Sequence, residues 1–293
     1  MAVDKAHTWT DAELRRLEKR IKAEYTKAYN EIKKEMQSIM AKINATPDMT
    51  AEKRMLEAHK YARLKTLCEQ ISETLKDTNK TAQKFISKSM QNIYKTNYNF
   101  NAEQLGFSLI DNTAVKNILT GKVNPFTELA IARDNDISVM TRSFEIEMTT
   151  ALLKGESIPK IANRLKTVAE KYLIDSIKIA RTETTRIENS ARQSVGDEGV
   201  RLGFNMWKRW VATGDARTRD EHLSADGQEV PNDEPFEIGG EQLMFPGDES
   251  LGASGWNTIN CRCTMVSFIK ESDNKKYGNK TIEEEKERRE KKR

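Results

Sequence analysis

Residues 207–231 read WKRWVATGDARTRDEHLSADGQEVP and residues 255–263 read GWNTINCRC. Three of the four tryptophans (Trp207, Trp210, Trp256), two of the three cysteines (Cys261, Cys263) and one of the three histidines (His222) fall in these two runs. Ten of the fourteen glycines lie between Gly196 and Gly255. The chain therefore changes character near residue 196, from repetitive helix to a turn-rich module. Alternating apolar residues predict a strand over 204–211, ended by the Thr213-Gly214-Asp215 turn. Phe236 and Ile238, then Gly239-Gly240, then Leu243 and Phe245 predict a tight hairpin. A last strand is predicted over 261–269, with Cys261, Cys263 and Met265 on one face and Arg262, Thr264 and Val266 on the other.

Upstream of this module the period is helical. Leu14, Leu17, Ile21, Tyr25, Ala28, Ile32, Met36, Ile39 and Ile43 recur every three or four residues, with Thr10 as the expected cap, Glu13 reaching back to it and Trp9 stapling onto Leu14. Thr46, Pro47 and Asp48 make a turn, and Leu56, Leu64, Leu67, Ile71 and Leu75 supply the matching face of a second helix capped by Thr50. His59 and Cys68 read as ordinary helix residues. A separate third helix is expected over 81–94, an irregular stretch after it, then shorter helices over 111–119, from Pro125, over 137–154 and after Ser157. A last helix is expected over 173–195, with Arg181, Glu183, Arg186 and Glu188 pairing on its outer face. Beyond Lys270 the run IEEEKERREKKR alternates in sign and reads as a charged tail.

The fold class expected is mostly α with a small α+β C-terminal module: a long antiparallel helical hairpin, a helical region, then a short antiparallel sheet. The boundaries are 1–98 for the hairpin arm, 99–196 for the helical region, 197–270 for the α+β module and 271–293 for the tail. Hydrophobic residues at 37%, charged residues at 32% and a mean hydropathy of −0.74 describe much exposed helix surface and a lean core. A formal charge of +4 is a weak summed field, so contact with nucleic acid would need a local patch. No apolar run reaches the roughly 18 residues that span a bilayer, and the N-terminus has no signal-like apolar segment, so synthesis in a cytoplasm and no membrane anchor are expected.

Four readings compete for the module. His222, Cys261 and Cys263 could hold a structural zinc, completed by an aspartate, although paired C-x-x-C knuckles are missing. Alternatively Asp215, Arg217, Arg219, His222 and Asp226 form a polar network that ties the strand ends together, with the cysteines as plain core. Lys208, Arg209 and Arg262, with Arg217 and Arg219 beside them, could meet DNA phosphates, but acidic residues interleave with them. Catalysis has the least support, since there is no nucleophile elbow, Gly-rich phosphate loop or two-carboxylate signature; a non-enzyme is expected.

Taken in order, Trp207, Trp210, Asp215, Arg217, Thr218, Arg219, His222, Asp226, Gly227, Phe236, Pro246, Asp248, Asn260, Cys261, Arg262 and Cys263 resemble the Mu F-like minor head proteins of tailed bacteriophages, also called head morphogenesis proteins. Ala180 to Glu183 (ARTE) is similar to that family too, and the resemblance covers about residues 175 to 270. It implies a low-copy capsid component made in the cytoplasm of an infected bacterium and packaged in the virion head interior. The implied partners are the portal protein, the major capsid or scaffolding protein, and packaged double-stranded DNA. The implied work is head assembly and genome packaging or ejection. Relatives fused to toxin or enzymatic domains set the alternative, a DNA-binding or metal-dependent enzyme delivered with the genome; with only the charged tail after Lys270, no such domain is expected here.

Overall fold

The computed structural model describes residues 4–44, 53–115, 142–143, 146–147, 150–151, 154 and 158–270. The turn expected at 46–48, the cap at Thr50, the helix opened by Pro125, the cap at Ser157, the charged tail and the side chains of His59 and Cys68 lie outside the described residues. The architecture is mostly α with a small α+β module at its C-terminal side.

Helix α1 spans Lys5–Asn44. Asp4 caps it, not Thr10: the Asp4 carboxylate accepts the His7 N–H at 2.8 Å and its carbonyl accepts the Thr8 N–H at 3.1 Å. Thr10 is already inside the helix, donating to the Ala6 carbonyl at 2.9 Å and accepting from Asn97 Nδ2 at 2.8 Å. Helix α2 is one element, Lys53–Gln104, so the separate helix expected over 81–94 and the irregular stretch after it are corrected. The asparagines there do not break the helix, because Asn97 and Asn101 turn their amides back onto the Ile93 and Asn97 carbonyls. Helix α3 spans Ile158–Arg201, merging the two helices expected after residue 157; no Gly or Pro interrupts the chain between Pro159 and Gly196.

The chain divides into two compact units. In the first, made by the described residues of 17–87 and 124–177, Leu17, Ile21, Tyr25, Ala28 and Ile32 of α1 are buried with Ile71, Leu75, Ala82 and Ile86 of α2. The two helices run antiparallel, with Arg20 over the Phe85 ring and the Tyr25 hydroxyl bonded to Asn79 and, at 2.9 Å, to Ser176 of α3. The second unit holds the described residues of 1–16, 88–123 and 178–293. Here α1 and α2 are again antiparallel, through Thr10–Asn97 and Glu13–Ser89.

The glycines at 196 and 199 do not end α3. A Cβ at Gly196 would stand 1.9 Å from Asn232 Oδ1, so its absence lets the β-module approach the helix. The helix ends at Gly203, whose φ of +88° closes a Schellman turn: Phe204 N–H to Gly199 O at 3.0 Å and Gly203 N–H to Val200 O at 2.9 Å. β1 (Met206–Val211) is the centre of an antiparallel sheet, with β2 (Glu229–Pro231) on one side. A short helix, α4 (Asp220–Ser224), lies between β1 and β2 in sequence. β3 (Phe236–Ile238) and β4 (Glu241–Leu243) form the expected hairpin, in register Phe236↔Leu243, over positive-φ Gly239-Gly240. The one-turn helix α5 (Gly255–Thr258) leads to β5 (Thr264–Ile269), which pairs with β1 to give the order β2-β1-β5. The last strand thus starts at Thr264 and not at Cys261. Its core is Trp210, Phe236, Ile238, Leu243, Met265 and both cysteines.

Candidate metal centre

The segment Asn260-Cys261-Arg262-Cys263 is not a strand because its carbonyls are taken by a helix. Thr185 Oγ1 of α3 donates to the Cys261 carbonyl, and Asn189 Nδ2 donates to the Cys263 carbonyl at 3.2 Å. Thr182 Oγ1 accepts the Asn260 N–H at 3.0 Å, and Asn189 Oδ1 accepts the Met265 N–H at 2.9 Å. Arg192 then donates to the Met265 carbonyl at 3.0 Å. Thr182, Thr185, Asn189 and Arg192 follow i, i+3, i+7, i+10 spacing, which is one helix face, and all four are buried. That face grips the backbone as a strand edge would. Asn260, at φ 56°, turns the chain so that Cys261 enters the core.

The polar outer face expected for this helix is corrected accordingly. Glu183 does pair with Arg186, three residues on, but Glu188 turns inward at 2% exposure, bonded to His7 Nδ1 at 2.7 Å, Arg192 at 3.1 Å and Thr264 Oγ1 at 3.1 Å. Six consecutive polar residues, from Arg181 to Arg186, wrap a full turn of the helix, so no period in the sequence marked which of them face inward.

His222 comes from α4 and is held edge-on by Trp210, at 5.6 Å between ring centroids. It meets both cysteines: Nδ1 lies 3.4 Å from Cys263 Sγ and 3.6 Å from Cys261 Sγ. The three side chains are 1%, 2% and 2% exposed, and their ligand atoms all lie within 4.8 Å of one another. No other set of three or more His, Cys, Asp or Glu groups comes together in this way among the described residues.

Asn257 decides the tautomer of His222. Its Nδ2 donates to the Ile238 carbonyl at 3.2 Å and to Glu241 at 2.7 Å, which points its oxygen at His222 Nε2, 3.2 Å away. Nε2 therefore carries the proton, and the Nδ1 lone pair faces the sulfurs. The neighbouring Cys263 thiol holds the Cys261 thiol below its ordinary value against the opposing effect of burial, with the Cys263 N–H, Arg219 and Arg262 adding to it. The same thiol contact and burial push Cys263 up.

The expected polar network is resolved into separate groups. Asp215 binds the Arg262 guanidinium through two bonds of 2.5 and 2.6 Å, accepts the Arg217 N–H at 3.0 Å, and is held well below the usual carboxylate range mainly by Arg262. Arg219 donates to the Ile259 carbonyl at 2.7 Å and lies over the exposed Trp256 ring. Asp226 accepts the Ala212 N–H at 2.9 Å. His222 belongs with the cysteines. Of the residues expected as DNA contacts, Lys208 is corrected: it is fully buried, donating to the Met244 carbonyl at 2.7 Å and to Gln193 at 3.1 Å. Arg209 pairs with Glu229 and Arg262 with Asp215, so both cations are already neutralised.

Residues 142–266 match the family model described as Phage Mu protein F like protein. The NAD(+)–arginine ADP-ribosyltransferase EFV of Enterococcus faecalis is 35% identical over 120 residues, which is 41% of this chain and 24% of that protein. The matched part of the chain thus spans about a quarter of that relative's length. No solved structure matches. The family match starts upstream of the block that the motifs mark in the sequence, and it takes in both the helix that grips the NCRC segment and the His222, Cys261 and Cys263 cluster. Residues 142–266 of this chain are similar to the Phage Mu protein F like family.

Proposed function

We propose that the protein is a minor head component of a tailed bacteriophage that works in head assembly through protein contacts, with the portal protein as its first partner and no enzymatic step of its own. The observation that carries this reading is the Mu F-like domain over 142–266. The internal pairing of Lys208, Arg209 and Arg262 favours protein partners over DNA for the module's basic residues. No helix among the described residues is long and apolar enough to cross a membrane. Mass spectrometry of purified heads, with crosslinking, tests the reading. The chain is expected in particles at far lower copy than the major capsid protein and crosslinked to the portal; its absence from particles overturns the proposal.

A second reading is an enzyme delivered with the genome, and the similarity to the Enterococcus faecalis ADP-ribosyltransferase is what favours it. Labelled NAD+ tests for ADP-ribosyl transfer, and a plasmid-nicking assay with His222→Ala tests for metal-dependent action on DNA. Transfer or His222-dependent nicking by the purified chain would establish the second reading.

A further inference from the structure

We propose that His222 Nδ1, Cys261 Sγ and Cys263 Sγ bind one zinc ion tetrahedrally, and that the fourth coordination position opens to a pocket rimmed by Arg217, Arg219 and Arg262, where a water or small anion completes it. The inference does not depend on the head-assembly reading.

Three observations carry it. The first is geometric: with Zn–S of about 2.3 Å and Zn–N of about 2.0–2.1 Å, a tetrahedral N–S edge is about 3.5 Å. The two measured edges are 3.4 and 3.6 Å. The second is convergence. Asn257 leaves Nδ1 with its lone pair, and two buried sulfurs converge on it. A metal at the common centre satisfies all three atoms at once. The bond from His222 Nε2 to Asn257 is also the outer contact that a ligating imidazole uses to hold its orientation. The third is the setting. The segment bearing both cysteines is held by its backbone on Thr185 and Asn189 of α3, so the sulfurs are placed before any ion arrives. Two thiolates and one imidazole are a donor set that suits zinc.

The open position follows from the lining. His222, Cys261 and Cys263 all face one pocket, whose other walls are Thr213, Arg217, Thr218, Arg219, Asn260 and Arg262. Among the described residues no carboxylate, histidine or further cysteine joins the cluster. On binding, zinc displaces the two thiol protons to solvent and takes the Nδ1 lone pair of His222.

The test uses the full chain. Elemental analysis of protein purified and dialysed after exposure to zinc is expected to give one zinc per chain, and Cys261→Ser, Cys263→Ser and His222→Ala are each expected to lose it while keeping the helical circular dichroism. Cobalt substitution of the unaltered protein gives a reading that does not depend on the variants folding. The d–d bands of a tetrahedral ion and a thiolate-to-cobalt charge-transfer band are expected, with the d–d bands shifting when azide is added. Asn257→Ala, which touches no metal, is expected to weaken zinc binding by about 10- to 100-fold. No bound metal, a Cys261–Cys263 disulfide in its place, or a cobalt spectrum without thiolate character overturns the site. A cobalt spectrum that ignores azide overturns the open fourth position.

Discussion

The Asn189 amide nitrogen lies 3.2 Å from the Cys263 carbonyl oxygen while its amide oxygen lies 2.9 Å from the Met265 N–H, so one side chain on α3 spans both edges of the backbone leading from the candidate metal centre into β5. Asn189 is fully buried, and Thr264 Oγ1 also donates to it at 3.2 Å. Asn189→Ala strands a carbonyl and an N–H without water to replace the amide, at about 1–3 kcal/mol for each group left unpaired. The expected outcome is a loss of about 2–4 kcal/mol, read as a lower urea midpoint. An unchanged midpoint would show that the helix does not grip this segment.

Arg192 is fully buried and joins four parts of the second unit: Asp4 at 2.6 Å, Asn97 at 3.1 Å, Glu188 at 3.1 Å and the Met265 carbonyl at 3.0 Å. Arg192→Met removes the guanidinium and leaves the Glu188 carboxylate buried, with only His7 as a cationic partner. The expected cost is about 3–5 kcal/mol, the usual result of breaking a buried pair from one side. Denaturant unfolding of the variant measures it, and a loss below about 1 kcal/mol would mean that Arg192 fills space without holding charge.

Two buried bases give opposite slopes of stability with pH. Burial lowers His7, but the Glu188 carboxylate beside it raises it further, so its net shift is upward from 6.5. Its contribution is complete below pH 6.5 and is lost as pH rises through the raised value. Lys208 is lowered from 10.5 to about 8 by burial, against the pull of Asp197, Asp248 and Asp233. Above pH 8 the unfolded chain holds a proton that the folded chain has released, so stability rises with pH from 8 to 10.5. That rise is about 3 kcal/mol at 1.36 kcal/mol per unit. His7→Gln should remove the decline and Lys208→Met the rise, in midpoints measured across pH.

Gly196 and Gly203 differ in what they forbid. At Gly203 a Cβ meets nothing within 4 Å, so Gly203→Ala costs only the left-handed conformation, about 1–2 kcal/mol. At Gly196 the Cβ would overlap Asn232, which is buried and donates to Asp197 at 2.7 Å. Gly196→Ala should therefore be the more damaging of the two, and thermal melts of both variants decide it. Equal losses would mean that Asn232 moves aside freely.

By itself the sequence determined the order of elements and the chemistry available to them. The apolar repeat Leu17, Ile21, Tyr25, Ala28, Ile32 is a local property of a 3.6-residue period, and it is the buried face of α1. The Gly239-Gly240 hairpin is equally local, since two adjacent positive φ angles suffice to make the turn. His222, Cys261 and Cys263 stood out by residue type and rarity. Element ends were less legible. The capping pattern at Thr10 and the glycine at 196 are ordinary boundary signals, and each was overridden by a partner distant in sequence: Asn97 for Thr10 and Asn232 for Gly196. Tertiary structure alone decided the rest. Only the folded chain shows that the polar face Thr182, Thr185, Asn189 and Arg192 grips the NCRC segment in place of a strand, and that Asn257 sets the proton on His222. Only the folded chain shows that Lys208, read as a surface cation, is buried. The physical reason is common to all three: a hydrogen-bonding side chain takes its role from the partner that meets it, and those partners lie about 15 to 80 residues away along the chain.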